Sequence, residues 1–280
     1  MLLNLNMEKY KKIKSKEKNI KNHVSEISSR KDKNEFIILN EKEAKGYCVN
    51  KFDNGDVYLG YNINNSRNSH GFYSYFKNSQ TNESRYYLGQ WKSNLRHGLG
   101  IYLWSQQFDN FENSNFKAFA GKFVEDHFYK GTFLSKEGNN YFIYHGTFER
   151  VNIKNGNNCF YYSANLEKLI YGKFEKNKFI KGYVALFSDE GIIKEFYKYN
   201  MDMDENNITH IKKLMSDFRN IIMSEDYFGI IFNVFKNAIE FKDNHLNDIN
   251  AINTYKYEEF LDICKSYKKI TIFNDIENIF

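Results

Sequence analysis

The chain has 280 residues, of which 18% are aromatic and none is proline. It has 40 Lys and Arg against 35 Asp and Glu, so its formal net charge is +5. A chain of this length can bury one or two cores, and abundant Tyr and Phe favour β-structure. Its 3 distant cysteines argue against a disulfide framework or a zinc site and favour a reducing compartment. No apolar run approaches the roughly eighteen residues of a membrane-spanning helix.

The first element in chain order is a basic N-terminal extension, residues 1–40. It holds ten Lys or Arg and five Asp or Glu, a net charge of +5, whereas residues 41–280 hold thirty of each sign and are neutral. Its apolar start is too short for a signal peptide, and its lysines follow the apolar part instead of preceding it. We expect this extension to be partly disordered or helical and the protein to be cytoplasmic.

Seven lysines of this extension are candidates for contact with an anionic lipid surface. Lysines near such a surface contribute roughly 1 kcal/mol each, and the leucines before them would add a modest apolar anchor. A solvated, disordered tail explains the same charge run, so both interpretations stay open. Nucleic acid is not an expected partner, because the aromatic residues are concentrated in the later repeats. The candidate lipid-binding residues are Lys9, Lys11, Lys12, Lys14, Lys16, Lys18 and Lys21.

A glycine flanked by aromatic residues recurs through the middle of the chain. The stretch "YYLGQWKSNLRHGLGIYLW", residues 86–104, shows the unit: aromatic-x-Gly-x-aromatic, then a second glycine and an apolar-aromatic run. Five copies are in register, and in the fifth an aromatic stands directly before the glycine. The repeat-defining residues are Tyr58, Gly60, Gly71, Tyr87, Gly89, Trp91, Gly98, Gly100, Phe119, Gly121, Phe123, Gly131, Tyr144, Gly146, Phe148, Gly156, Gly172, Phe174 and Gly182.

Each unit is predicted to form a strand, a turn and a second strand. Side chains two residues apart lie on one face of a strand, so Tyr87, Gly89 and Trp91 share a face. A glycine between two rings leaves room for a ring to lie across the backbone, or permits a positive φ near a turn. One hairpin is only marginally stable, whereas stacked hairpins support one another. The pattern therefore predicts an elongated, twisted antiparallel β-sheet over residues 41–199.

Residues 87–102, "YLGQWKSNLRHGLGIY", resemble the MORN repeat (membrane occupation and recognition nexus), whose unit reads approximately Y-x-G-x-W-x-x-G-x-x-H-G-x-G-x-Y. The resemblance extends over about residues 45–197, with Asn94 at the place of the middle glycine. It implies a sheet of about five stacked MORN-type hairpins plus flanking half repeats. The first glycines are 29, 32, 25 and 26 residues apart, so irregular linkers are expected at 105–115, 135–140 and 163–168.

The same resemblance carries expectations about function. MORN proteins are commonly associated with cortical, ciliary or plasma-membrane structures, and some are reported to bind phosphoinositides. It implies a non-catalytic scaffold that binds protein partners in cytoskeletal or membrane-associated structures. The alternative is a protein-binding subunit of a stable assembly such as a ciliary or axonemal complex. Open sheet edges also permit self-association, so a homodimer is a further expected arrangement.

Residues 200–280 have helical spacing, and they complete an α+β fold with a small C-terminal helical bundle. The first predicted helix has one apolar face, and the second, residues 224–241, has Ser224 as its N-cap. We expect the bundle to cover the open end of the sheet, and a partner-binding module is the alternative. The apolar positions of the first, third and fourth helices are Ile208, Ile211, Met215, Phe218, Ile222; Leu246, Ile249, Ile252; and Tyr257, Phe260, Leu261, Cys264.

The sequence contains no recognised catalytic motif. The glycine-rich stretch "HGLG", residues 97–100, precedes a predicted strand and not a helix, so it lacks the helix N-terminus that phosphate binding uses. His70 and His97 are interpreted as turn residues, because no Cys, Asp or Glu stands at ligand spacing from them. We therefore expect no enzyme activity, no cofactor and no metal site.

Overall fold

A computed structural model describes residues 45–77, 83–105, 115–138, 140–149, 153–201, 207–224, 227–245 and 254–266. Within these residues, thirteen strands form one open antiparallel sheet that follows chain order, with β9 paired only to β8. The predicted antiparallel sheet is confirmed, and the basic extension with its seven lysines lies outside the described residues. The strands are β1 Lys45–Lys51, β2 Val57–Ile63, β3 Ser66–Ser74, β4 Ser84–Lys92, β5 Leu95–Ser105, β6 Phe116–Val124, β7 His127–Glu137, β8 Asn140–Glu149, β9 Ile153–Lys154, β10 Gly156–Ser163, β11 Lys168–Glu175, β12 Lys178–Phe187 and β13 Ile193–Tyr199.

Four hairpin turns share one two-residue geometry. Both turn residues are left-handed, with φ between 48° and 70°. This is the pattern of type I′ turns, whose twist matches that of the flanking strands. Asn and Asp tolerate this conformation better than most residues, and each turn has one of them at its second position. The turn pairs are Asn64 with Asn65, Ser93 with Asn94, Glu125 with Asp126, and Lys176 with Asn177.

The connections between hairpins differ in part from the linkers that we expected. At 135–140 the expectation was wrong, because β7 continues to Glu137 and β8 begins at Asn140. Gly138 lies between them with φ 61°, and this left-handed glycine lets the chain reverse within a few residues. Between β10 and β11 the chain forms a 3₁₀ turn at Ala164–Leu166. Most of the linker expected at 105–115 lies outside the described residues.

A row of glycines crosses the sheet at right angles to the strands. From β2 to β8, each member of this glycine row pairs with the glycine of the next strand. Glycines that occupy equivalent positions in the sequence repeats therefore pair with each other across neighbouring strands. The glycine row consists of Gly60, Gly71, Gly89, Gly100, Gly121, Gly131 and Gly146, and it resumes with the paired Gly172 and Gly182.

Aromatic rings lie flat against the backbone of the glycine row. A Cβ atom on Gly71 would lie 2.5 Å from the ring of Tyr58, and one on Gly100 would lie 2.5 Å from the Tyr87 hydroxyl. Each tyrosine hydroxyl then donates to the main-chain carbonyl three residues later, at 3.0 Å for Tyr58 and 2.8 Å for Tyr87. Tyr144 repeats this contact at 3.0 Å. The glycines thus make room for rings whose polar ends are satisfied by the main chain.

Two of the predicted repeat glycines lie beside this row. Gly98 has φ 78° and stands two residues before the row glycine Gly100. Gly156 precedes a register shift in β10, where Cys159 pairs with Gly172 and takes the row position of that strand. Gly98 therefore lies between the hairpin turn and the glycine row, at a position with positive φ. Gly156 belongs to a β-bulge.

Three helices pack on one face of the sheet, which we call the helix-covered face. Phe218 stacks on Phe160 of β10 with ring centroids 4.2 Å apart, and Phe235 lies 6.0 Å from Tyr86 of β4. Sheet and helix residues therefore share one buried core. The helices cover this apolar face and not the end of the sheet as we expected, since a face buries far more apolar area than an end. They are α1 Ile208–Ser224, α2 Tyr227–His245 and α3 Thr254–Lys265.

The helix boundaries also differ from the sequence expectation. Ser224 is the last residue of α1 and not the N-cap of the next helix. The predicted third helix, around residues 246–252, lies outside the described residues. α3 contains the positions of the predicted fourth helix, and its Cys264 is fully buried with Sγ 3.7 Å from the Leu59 carbonyl. The domain boundary near residue 200 stays a prediction.

A buried arginine ties α1 to the sheet. Arg219 is 6% exposed and donates from Nε and Nη2 to the carboxylate of Glu167 at 3.2 and 3.0 Å. Tyr162 donates to the same carboxylate at 2.9 Å, and the guanidinium lies 5.2 Å from the ring centroid of Phe187. A buried charge is costly unless it is paired and hydrogen-bonded, and the buried guanidinium has this partly exposed carboxylate as its partner. The contact therefore fixes where α1 lies on the sheet.

Replacing a row glycine tests the packing of rings on the backbone. Gly89→Ala is expected to lower the free energy of unfolding by about 2 kcal/mol, because overpacking a filled site costs roughly 1–3 kcal/mol. The added Cβ would overlap Gly100 Cα and lie 2.8 Å from the Leu99 carbonyl oxygen. Urea unfolding followed by tryptophan fluorescence measures the change. Lys92→Ala, at an exposed site of the same strand, is the control, and equal stability of the two variants would contradict the prediction.

Candidate interaction surface

The face opposite the helices is built from aromatic rings, and we call it the ring face. Successive residues of a strand point to opposite faces, so its members alternate with residues of the helix-covered face such as Leu88 and Ala120. Two apolar cores therefore lie back to back on a single sheet. The buried core of the ring face is Cys48, Tyr58, Tyr73, Tyr87, Trp91, Tyr102, Phe119, Phe123, Phe128, Tyr144, Phe148, Cys159 and Phe174.

Eight rings form a row beside the glycine row. They are paired strand to strand from β2 through β8 to β10. The sequence analysis singled out the ring on the first strand of these four hairpins and placed the ring on the second strand only within an apolar-aromatic run. The signal that identifies the second ring is an aromatic residue two positions after the row residue of that strand. The aromatic row is Tyr58, Tyr73, Tyr87, Tyr102, Phe119, Phe133, Tyr144 and Tyr161.

One further side chain in each hairpin packs on rings of the ring face, and we call these side chains the fillers. The guanidinium of Arg67 lies 4.8 Å from the ring centroid of Tyr73 and 4.4 Å from that of Trp91. Arg96 lies 4.8 Å from Tyr102 in the next hairpin. Such cation–π contacts contribute about 0.5–2 kcal/mol, with more when desolvated. The fillers are Arg67, Arg96, Phe128, Lys154 and Phe179.

The two arginine fillers also join their hairpin to the next one. Arg96 donates from its main-chain N and from Nε to Asp126 Oδ1 at 2.8 and 3.0 Å, and from Nη2 to the Asp126 carbonyl at 3.0 Å. Arg67 contacts Asn94 through its main-chain N and Nη2 at 2.8 and 3.0 Å. Each acceptor is the second residue of the following turn. The guanidinium and main-chain N–H groups of each arginine therefore fix the register between neighbouring hairpins.

Lys154 fills the same position but is held differently. Its main-chain N donates to Asn177 Oδ1 at 2.8 Å, as the arginines do to their turns. Its Nζ lies 5.0 Å from the centroids of Phe142 and Tyr161 and 5.2 Å from that of Tyr144. Within the described part of the chain this ammonium has no carboxylate partner. Burial among the rings lowers the pKa of Lys154.

A cavity of about 270 Å³ lies beside the register shift of β10. His145 in its wall is 3% exposed, and its Nδ1 lies 2.9 Å from Thr132 Oγ1. Burial, and then the charge of Lys130, lower the pKa of His145 to about 3, and burial raises the pKa of Cys159. At neutral pH the imidazole is uncharged and the thiol is protonated, which suits packing better than nucleophilic chemistry. The lining residues are Lys130, His145, Gly146, Thr147, Asn157, Asn158 and Cys159.

Among the described residues, no cluster of three or more His, Cys, Asp and Glu side chains could hold a metal ion. His70 lies near the turn of its hairpin, with Nδ1 2.9 Å from Ser69 Oγ. None of the helices in the described ranges has the length and apolar character needed to cross a bilayer.

The arrangement defines a class of repeat protein, in which hairpins add side by side into one open antiparallel sheet. Comparison with family models identifies the repeat, because the MORN repeat matches residues 87–107, which cover most of β4 and all of β5. Residues 87–107 of the chain therefore form a MORN repeat. No curated protein matches it.

Exchanging the cationic fillers tests their two modes of attachment. Arg96→Lys is expected to lower the free energy of unfolding by about 1.5 kcal/mol, because lysine cannot donate the paired hydrogen bonds to Asp126. Lys154→Arg is the matched reverse exchange, and we expect it to be neutral or slightly stabilising, since a guanidinium there can reach the Asn177 carbonyl. Urea unfolding of both variants measures the effects. A destabilisation by Lys154→Arg as large as that by Arg96→Lys would contradict this account.

The buried His145 predicts a pH dependence of stability. Its pKa is about 3 in the folded protein and about 6.5 when unfolded, so the unfolded chain binds the proton more readily. Stability is therefore greatest above about pH 6.5 and falls with decreasing pH, by at most about 1.4 kcal/mol per pH unit. Urea unfolding between pH 7 and 5 measures this slope. His145→Gln should flatten it, and His127→Gln, at an exposed position, should leave it unchanged; a slope unaffected by His145→Gln would refute the assignment.

Proposed function

We propose that the protein is a non-catalytic MORN-repeat scaffold of cytoskeletal or membrane-associated structures. The main support is the difference between the two faces of its sheet. Its own helices cover one face, while the ring face carries half-buried rings, such as Trp104 and Tyr161, beside cationic side chains. An extended surface of this kind suits a protein segment that docks along it. MORN repeats are generally found in membrane-associated or scaffold proteins.

The proposed membrane contact is the basic N-terminal extension. Its seven lysines carry the excess charge of the chain, and an anionic surface attracts each of them by roughly 1 kcal/mol. Lipids with strongly anionic headgroups, such as phosphoinositides, are the proposed ligands. The protein would then be cytoplasmic and peripheral at the inner face of a membrane or on the cytoskeleton.

The alternative is a subunit of a stable assembly such as a ciliary or axonemal complex. The last described strand favours it, because β13 is an edge strand and Tyr197 and Tyr199 on it are 44% and 49% exposed. The neighbouring Ile192 is 67% exposed. Exposed apolar residues at an unpaired strand edge favour association with another chain. A second copy of this protein is one such chain.

Liposome co-sedimentation tests the membrane contact. The full chain is expected to sediment with vesicles containing anionic lipid, and deletion of residues 1–22 is expected to abolish this binding. Binding should also weaken with salt, because exposed charges are screened.

A matched control separates the tail from general basicity. Replacing the tail lysines Lys9, Lys11 and Lys12 by Gln should weaken binding several-fold, whereas the same exchange at the exposed Lys92, Lys117 and Lys122 should not. Equal binding by the truncated protein, or none by the full chain, removes the tail from the proposed function. The alternative assembly role would then be favoured.

A further inference from the structure

The ring face has an outer margin, which we call the outer row, and rings and cations alternate along its first four residues. Tyr75 donates from its main-chain N to the Arg85 carbonyl at 3.0 Å, and Arg85 pairs with Trp104, which pairs with Lys117. The row continues through Ser135 and Phe142 and reaches Lys168. It lies four residues along each strand from the glycine row. The outer row is Tyr75, Arg85, Trp104, Lys117, Ser135, Phe142, Ser163 and Lys168.

The first four residues of the outer row are more accessible than the rings over the glycines, whereas Ser135 and Ser163 farther along it are buried. Tyr75, Arg85 and Trp104 are half-buried, and the side chain of Lys117 is 54% exposed. Tyr102, from the aromatic row, holds both outer rings, with centroids 5.7 Å from Tyr75 and 4.1 Å from Trp104. The rings are therefore fixed at one side and open at the other, which is how a preformed recognition surface presents aromatic residues.

The cations of this margin are weakly neutralised within the described residues. Lys117 contacts Glu137 at 4.0 Å, and both side chains are more than half exposed, so this ion pair contributes little. The guanidinium of Arg85 lies 5.3 Å from the Tyr75 ring centroid. Lys154 reaches the same margin, because its ammonium lies over Phe142 of the outer row. The margin thus offers cations to a ligand with negative charges.

The spacing of these cations selects the form of the ligand. Arg85 and Lys117 lie on β4 and β6, two strands apart, which is about 9.6 Å at the usual strand separation of about 4.8 Å. Tyr75 and Trp104 are related in the same way. A polyproline II segment advances about 9.3 Å in three residues and places every third side chain on one side. A β-strand repeats its side-chain direction every second residue, at about 6.6 Å, and does not match this spacing.

We propose that the outer row binds an acidic, proline-rich segment of a partner protein in the polyproline II conformation. A carboxylate at every third residue contacts Arg85, Lys117 and Lys154 in succession, and the prolines between them pack on Tyr75 and Trp104. Aromatic grooves bind such segments in other recognition modules, because the polyproline II helix is preformed and loses little entropy. This inference rests on the proposed scaffold function, and it names the chemistry of the partner segment.

Fluorescence anisotropy with the full chain tests the proposal. The probe is a fluorescein-labelled (Glu-Pro-Pro)4 peptide, and the comparison peptide has the same composition with its four glutamates contiguous. We expect the spaced peptide to bind at least tenfold more tightly. Equal affinities would mean that only net charge is recognised, and the absence of saturable binding at millimolar peptide would also overturn the proposal.

Charge-reversal variants locate the surface. Arg85→Glu with Lys117→Glu is expected to weaken peptide binding at least tenfold. The control is Lys92→Glu with Lys122→Glu, because these exposed lysines belong to β4 and β6 but point to the opposite face. It should change affinity less than twofold. A loss of binding in the control as large as in the test variant overturns the assignment, and urea unfolding verifies that all variants are folded.

Two further measurements test whether the outer row binds nucleic acid instead and whether Lys154 belongs to the peptide site. The first measures the binding of a labelled dT12 oligonucleotide. If dT12 binds more tightly than the peptide, and if Arg85→Glu with Lys117→Glu abolishes that binding, the outer row is a nucleic-acid site instead. Lys154→Met is expected to weaken peptide binding at least threefold, and unchanged affinity removes Lys154 from the site. Liposome binding of the same full chain reports on the tail alone. The absence of peptide binding therefore does not count against the membrane contact, and the absence of liposome binding does not count against the peptide site.

Discussion

The structure depends on one steric constraint, which is that large aromatic rings lie flat across the main chain of their own hairpin. The space is largest where two paired residues lack a Cβ, so glycines face each other across most of the strand pairs, and Cys159 takes the second position only in the hairpin of Tyr144. Gly60 with Gly71 and Gly89 with Gly100 meet that condition, and the rings of Tyr58 and Tyr87 occupy the space. Pairing register and side-chain packing are therefore set by the same residues.

From this constraint follow the different properties of the two faces. The residues between the row positions, such as Leu88, point away from the rings and form an ordinary apolar sheet face, which the helices of the same chain cover. The ring face is completed mainly by its own side chains, because each filler lies over the rings of its hairpin. Because the fillers cover the rings, this face needs no helix to exclude water from its core. Only its margin is accessible to another molecule.

The sequence predicted the sheet, its antiparallel hairpins and the ring on each first strand, because aromatic and glycine recur at fixed local spacing. It placed Tyr73 and Tyr102 only within the apolar-aromatic runs, since their position in the aromatic row depends on which second glycine belongs to the glycine row. Gly98 and Gly100 both fit the local pattern, and only cross-strand pairing with Gly89 distinguishes them. Cys159 was missed because it takes a glycine position without being a glycine. The sequence also failed to predict which surface of the sheet the helices cover. Apolar spacing predicts that one face of a helix is buried, but it does not identify the surface against which that face packs.

The irregular spacing of the repeats is consistent with this constraint. Hairpins must meet with their row glycines in register, but nothing requires the chain to take the same path between them. β3 ends at Ser74 and β4 begins at Ser84, whereas β7 ends at Glu137 and β8 begins at Asn140, and the glycine row continues across both junctions. Length changes at the side of the sheet away from the turns leave the rings and fillers in place, and a loop's entropy cost grows only slowly with its length. The polar contacts from filler to following turn, as from Arg96 to Asp126, then hold the register that the connection does not specify.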